Sequence, residues 1–246
     1  MAPGLIPDAA LAEATERGFA AVSGLGLDAG ALEAAMAAIG TLTFTPGERP
    51  HPDHPHTFVV TNRGRTVPPV SVFHSDTSYV ARPPSYTALA AVEIPEAGGE
   101  TVFVDQFLAL ESAPATLRAA LAGVELLHVA SRVADAAAAG EGAWHPVLRR
   151  HPITGRVALY VSARERLVGA RRHGRDLDED EARELIDAAH AQAISGAPVE
   201  RHAWVPGDLL LTDNRSTLHA ADHAGVVGAR TLHRVMVEGE RPIPGG

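Results

Sequence analysis

The sequence predicts a mainly β protein with flanking helices, folded as a closed or double-sheet structure. Short runs of β-branched and aromatic residues recur at 67–79, 86–94, 101–105, 209–212 and 231–238. Between them the chain is punctuated by turn formers, 23 Gly and 18 Pro in 246 residues. Helical periodicity is confined to a few segments, and there is no internal repeat.

In chain order, the first 40 residues read as helix, strand, helix. Leu32, Met36 and Ile39 recur at helical spacing behind an Asp28 cap, and Gly40 is the stop. The stretch from Pro50 to His56, Pro-His-Pro-Asp-His-Pro-His, is a loop, because proline removes backbone donors. A strand at 57–61 and a turn at Asn62-Arg63-Gly64 follow. Gly98-Gly99 turns the chain into the strand 101–105, and 112–127 is expected to hold a helix. Residues 130–143, rich in Ala and Gly, form an excursion that, with Arg63 and Arg65, belongs to a lid. Strands at 146–150 and 156–162 make a hairpin around Pro152-Ile153-Thr154-Gly155. Residues 178–193 are an amphipathic helix, with Ala182, Leu185, Ile186 and Ala189 on one face. One domain over 1–246 accommodates all of this.

Composition narrows the chemistry. Thirty acidic residues against 21 basic ones give a net charge of -9, the wrong sign for a nucleic-acid partner. With no Cys, thiolate-ligated zinc, iron–sulfur clusters and a cysteine nucleophile drop out. Every basic residue is Arg, which excludes a Schiff-base lysine and a P-loop. The N-terminus lacks a basic region and an apolar core, and no run approaches the roughly 18 apolar residues of a membrane span. The expectation is a cytoplasmic protein with no membrane partner that acts on a small molecule. Assembly as a homo-oligomer stays open.

Thirteen His residues raise the question of a metal. His74-Ser75-Asp76 sets an imidazole and a carboxylate two residues apart in an extended segment, where alternation points both the same way. Two His and one carboxylate leave half an octahedral coordination sphere open for co-substrate and O2. Chance alone supplies about 0.7 such pairs in a chain of this composition, and His51-Pro52-Asp53 is a second. That second pair lies in a Pro-rich loop, whereas a metal needs ligands on rigid elements. A third ligand must come from a distant strand, and His219 follows the buried run 209–212. Arg230 and Arg234 come 11 and 15 positions later, close enough to meet an anionic co-substrate bidentately.

These stretches together resemble the taurine dioxygenase family of Fe(II)/2-oxoglutarate oxygenases. The matching segments are Phe73-His74-Ser75-Asp76-Thr77-Ser78-Tyr79, Gly98-Gly99-Glu100-Thr101, and His145 through His151 to Tyr160. Trp204-Val205-Pro206-Gly207-Asp208, Asp213-Asn214-Arg215, His219 and Arg230 to Arg234 complete them, in family order. The resemblance implies a double-stranded β-helix (a jelly roll, cupin-like), with Fe(II) on His74, Asp76 and His219. It implies that Thr101 and Arg230 bind 2-oxoglutarate, that O2 is the second co-substrate, and that a C–H bond is hydroxylated with release of succinate and CO2. It places Arg234 near the anionic group of substrate or co-substrate. Tyr79, just beyond the ligand pair, is a candidate for the substrate wall or for the core alike.

Where taurine-specific members carry a His in the early loop, an Asn four residues before the first ligand and a Trp directly before it, this chain has Thr45, Val70 and Phe73. The sulfonate-reading set is incomplete, which points to another substrate. Asp76 favours hydroxylation over halogenation. A metal-dependent hydrolase or cupin-like enzyme using the same ligands without 2-oxoglutarate is the alternative. Among the other histidines, His145 and His151 read as hairpin packing, and His128, His190 and His202 as solvated or core-edge.

Overall fold

A computed structural model describes residues 6–64, 72–131 and 133–246. Its centre is an antiparallel sheet in the order Phe19–Val22, Leu209–Asp213, Tyr86–Glu93, Thr231–Val237, Leu42–Thr43, and Phe58–Thr61 also pairs with Thr231–Val237. A second sheet, Val199–His202, Thr101–Asp105, Thr217–Ala221, faces it. A four-stranded sheet built on Leu167–Arg172 and Val124–His128, and a small one holding the hairpin Leu148–Arg150/Val157–Leu159, extend the second layer. Every pairing is antiparallel and the first strands pair with the last, which is the jelly-roll pattern predicted.

Alternation in the central sheet decides what each face meets. Ala88, Ala90, Leu209, Leu211, Val235 and Val237 turn outward and are covered by the helices Asp8–Arg17 and Ala29–Ala37. Leu89, Leu210 and Leu232 turn inward and pack with Phe103 and Trp204 of the second layer. On the far side, Ala182, Ile186, Ala189 and Ala193 of the helix Glu179–Ser195 cover Val124, Leu126 and Leu218. Asp28 caps its helix as expected, accepting from Ala31 N, and Asp178, expected inside its helix, instead caps Glu179–Ser195 by accepting from Glu181 N; each such cap contributes about 1 kcal/mol.

Two expectations are corrected. The helix expected over 112–127 is only Ala115–Leu121: Gly123 takes φ +66, and Val124–His128 then continues as a strand with Val124, Leu126 and His128 buried. The preceding segment supplies a separate helix, Gln106–Glu111, capped by Asp105. The strand expected over 67–79 is, in its described part, a turn from Asp76 onward with one isolated bridge at His74. Thr77 there has φ +47, which ends extended structure; residues 67–71 lie outside the described part. The hairpin, the helix Glu179–Ser195 and the strands at 86, 101, 209 and 231 stand where the sequence put them.

Candidate active site

A cavity of about 380 Å³ opens between the two layers. His74 and His219 reach it from segments 145 residues apart that are joined by main chain: His74 N donates to His219 O at 2.9 Å and His219 N returns the bond at 3.0 Å. This reciprocal pair fixes the ring centroids 4.5 Å apart. Asp76, two residues on, points the same way. Its Oδ1 lies 3.6 Å from His74 Nε2 and its Oδ2 3.8 Å from His219 Nε2. Among the described residues, this is the group of His and acidic side chains whose donor atoms all fall within 4.8 Å of one another.

The donor set suits a divalent ion. His74 Nδ1 donates to Val72 O at 2.9 Å, which leaves the Nε2 lone pair facing the other two ligands. Burial, reinforced by the neighbouring His74, pushes the His219 imidazole down to about 3, so it is neutral and able to ligate. Burial pushes the Asp76 carboxyl up, but the Arg234 guanidinium, with His219 and His74, outweighs it and holds the acid well below its usual range. Thr87 Oγ1 donates to Asp76 Oδ2 at 2.8 Å, and Asn214 donates in turn to Thr87, so the carboxylate is held by a chain of two residues. The His-x-Asp motif identifies the ligands and not these supports; Asn214 lies in the family segment Asp213-Asn214-Arg215, and Thr87 carries no signal beyond its strand.

At one end of the cavity Arg230 is 2% exposed with no carboxylate at ion-pair distance among the described residues. Its Nε donates to Gly99 O at 2.7 Å and its Nη2 to Thr101 Oγ1 at 3.1 Å. Burial pulls its guanidinium down to about 10. Thr101 Oγ1 also accepts from Trp204 Nε1 at 3.0 Å. With both lone pairs taken, the hydroxyl proton is free for an incoming acceptor. A buried, unpaired cation beside a free hydroxyl is a ready seat for a carboxylate.

Thr45 and Tyr79 line the cavity, the tyrosine donating to Pro46 O at 3.1 Å with its phenol pushed up to about 12 by burial. Arg234 also lines it, but its fork is engaged, Nη1 on Asp76 Oδ1 at 3.0 Å and Nη2 on Thr45 Oγ1 at 2.9 Å. Phe73 is not brought there: alternation from His74 and Asp76 turns it toward the core beneath Glu179–Ser195. Val70 and Arg65 lie outside the described residues. Arg63 pairs with Glu93 on the surface, away from the cavity, whereas Ser131, Val133 and Ala134 of the 130–143 excursion do form its wall. His145 donates to Ser78 O and His151 to Asp213, both structural roles. His128 is fully buried rather than core-edge, because its strand turns it inward against Tyr160.

Comparison with known proteins agrees with the geometry. The chain is 29% identical over 216 residues to pentalenolactone F synthase of Streptomyces arenae, covering 76% of this chain and 70% of that protein. It is 32% identical over 173 residues to the alpha-ketoglutarate-dependent 2,4-dichlorophenoxyacetate dioxygenase of Cupriavidus pinatubonensis, covering 66% and 58%. It is 28% identical over 182 residues to the alpha-ketoglutarate-dependent sulfonate dioxygenase of Saccharomyces cerevisiae, covering 70% and 43%. The chain thus spans less than two thirds of the length of the last two relatives. A crystal structure of a taurine dioxygenase from Burkholderia xenovorans superposes with a TM-score of 0.79 at 25% identity, covering 97% of this chain and 84% of that one. Residues 6–236 match the model of the taurine catabolism dioxygenase TauD, TfdA family, and the chain belongs to that family of enzymes, whose reaction uses Fe(II), 2-oxoglutarate and O2.

Proposed function

We propose that this protein is a dioxygenase that hydroxylates an unactivated C–H bond of a small, anionic metabolite. Overall, substrate, O2 and 2-oxoglutarate give the alcohol, succinate and CO2. In this reading His74, Asp76 and His219 hold the iron, and Arg230 and Thr101 take the distal carboxylate of 2-oxoglutarate. When bound, the iron supplies the oxidising chemistry; the chain supplies ligand geometry, charge and exclusion of water. Asp76 stays ionised because Arg234 neutralises it, and Tyr79, Phe58 and Leu232 wall the space for substrate.

The observation that carries the reading is Arg230, a buried guanidinium lining the cavity that, among the described residues, bonds a carbonyl and a hydroxyl and pairs with no carboxylate. A hydrolase using the same three ligands has no use for it. The relatives' names support an anion, since one specifies a phenoxyacetate and another sulfonates. The acidic surface and small cavity favour a small-molecule partner over nucleic acid, and no helix of the described residues is long and apolar enough to cross a membrane. A single domain over 1–246 in the cytoplasm is part of the same proposal, the family match over 6–236 supporting its extent.

The test is anaerobic. Protein mixed with Fe(II) and 2-oxoglutarate should develop a visible metal-to-ligand charge-transfer band, lost in an Asp76→Ala/His219→Ala variant. Arg230→Ala should raise the 2-oxoglutarate requirement about 10- to 100-fold, since a hydrogen bond to a charged group contributes roughly 1.5–3 kcal/mol. An unchanged requirement would favour the hydrolase.

A further inference from the structure

We infer that Arg166 is the side chain that binds the acidic group of the substrate, and that the rest of the substrate is apolar. The inference rests on the oxygenase reading and specifies its substrate class.

Arg166 closes the short turn Arg164–Arg166 and is 7% exposed, yet it lines the cavity. Its bonds are to neutral groups: Nε to Ser131 Oγ at 3.1 Å and Nη1 to Ser75 O at 3.4 Å. Among the described residues no carboxylate lies at ion-pair distance from it, and Nη2 has no protein partner. Guanidinium groups are seldom left this way unless an anion arrives.

The other two arginines among the described cavity residues have other tasks: Arg234 holds Asp76 and Thr45, and Arg230, in the proposed reading, takes the 2-oxoglutarate carboxylate. Arg166 also stands at a different end from Arg230. It touches Ser75, between the two near ligands, and Ser131 of the excursion, whereas Arg230 touches the second sheet. Burial lowers both guanidinium groups; at Arg166 the nearby Asp76 and Glu165 oppose it and Arg234 adds to it, whereas at Arg230 burial acts alone. These separate partners leave the co-substrate to Arg230 and the substrate to Arg166. Between them run Phe58, Val60, Leu89, Val133 and Leu232, a surface for an apolar body.

The experiment titrates hexanoate, hexanesulfonate and methyl hexanoate by calorimetry into anaerobic protein saturated with Fe(II) and 2-oxoglutarate. The anions should bind at least 10-fold more tightly than the ester. Arg166→Gln should erase that preference and Arg166→Lys restore part of it, with 2-oxoglutarate affinity unchanged in both. Equal binding of anion and ester by the unaltered protein, or a preference that survives Arg166→Gln, overturns the inference. The charge-transfer band, read on the same samples, reports separately on the oxygenase reading: its absence sinks that reading, while the anion preference still decides Arg166.

Discussion

Asp76 shows how much a single side chain depends on its neighbours. Two donors converge on its carboxylate, Arg234 on one oxygen and Thr87 on the other, and the Asn214 amide donates to Thr87 behind them. Outer partners of metal ligands typically matter 10- to 100-fold in affinity. Thr87→Val, which keeps the shape and removes the hydroxyl, should therefore weaken Fe(II) binding at least about 10-fold in a metal titration, with the fold intact by circular dichroism. At this scale the sequence was informative where chemistry imposes spacing. His74 and Asp76 were visible because two ligands on one extended segment must be two apart, and Arg230 because it follows His219 at the family's interval. Arg166 was not visible. It shares Ala163-Arg164-Glu165-Arg166 with Arg164, which is half-buried and pairs with Asp187. Only the turn between them, a matter of tertiary packing, sends one to water and the other to the cavity.

Elements were legible when local rules and tertiary context agreed. Caps, the hairpin turn and the amphipathic stripe of Glu179–Ser195 each have a local cause. The segment 112–127 misled because its composition favours helix while Gly123 and the buried alternation of Val124, Leu126 and His128 enforce a strand. Gly18 illustrates a junction that tolerates nothing else. It ends the first helix at φ +91, and an added Cβ would stand 1.8 Å from Thr217 Oγ1, at the head of the strand that carries His219. Gly18→Ala should lower stability by at least about 2 kcal/mol, combining left-handed strain with overpacking, read as a lower urea midpoint at unchanged slope. A midpoint within error of the parent would show that the junction relaxes freely.

For the molecule as a whole, sheet order was beyond local reading: Phe19–Val22 pairs with Leu209–Asp213, and no pattern within either run names the other. The jelly roll was reached through the family resemblance. Its interior also sets a pH limit. Burial holds the His128 imidazole well below its usual value and brings His145 down to about 4. Unfolded imidazoles titrate near 6.5, so below that pH the unfolded chain binds more protons than the folded one. Stability is then full above about pH 6.5 and falls as pH drops toward 4. His145 alone accounts for roughly 3 kcal/mol of the loss at the acid end. His128→Phe keeps a ring against Tyr160 and removes one titration, so its thermal midpoint should fall less steeply between pH 7 and pH 5 than the parent's. Parallel curves would refute this.

The paired hydrogen bonds between His74 and His219 mean that the ligand cage is assembled by peptide groups, ahead of any ion. A cage built that way does little to discriminate among the ions offered to it. Nitrogen and oxygen donors follow the general order in which Co(II), Ni(II) and Cu(II) outbind Fe(II), so preparations exposed to nickel resin or to traces of heavier metals should carry inert occupants. Stripping with a chelator and reloading with ferrous salt under argon should recover turnover without any refolding step.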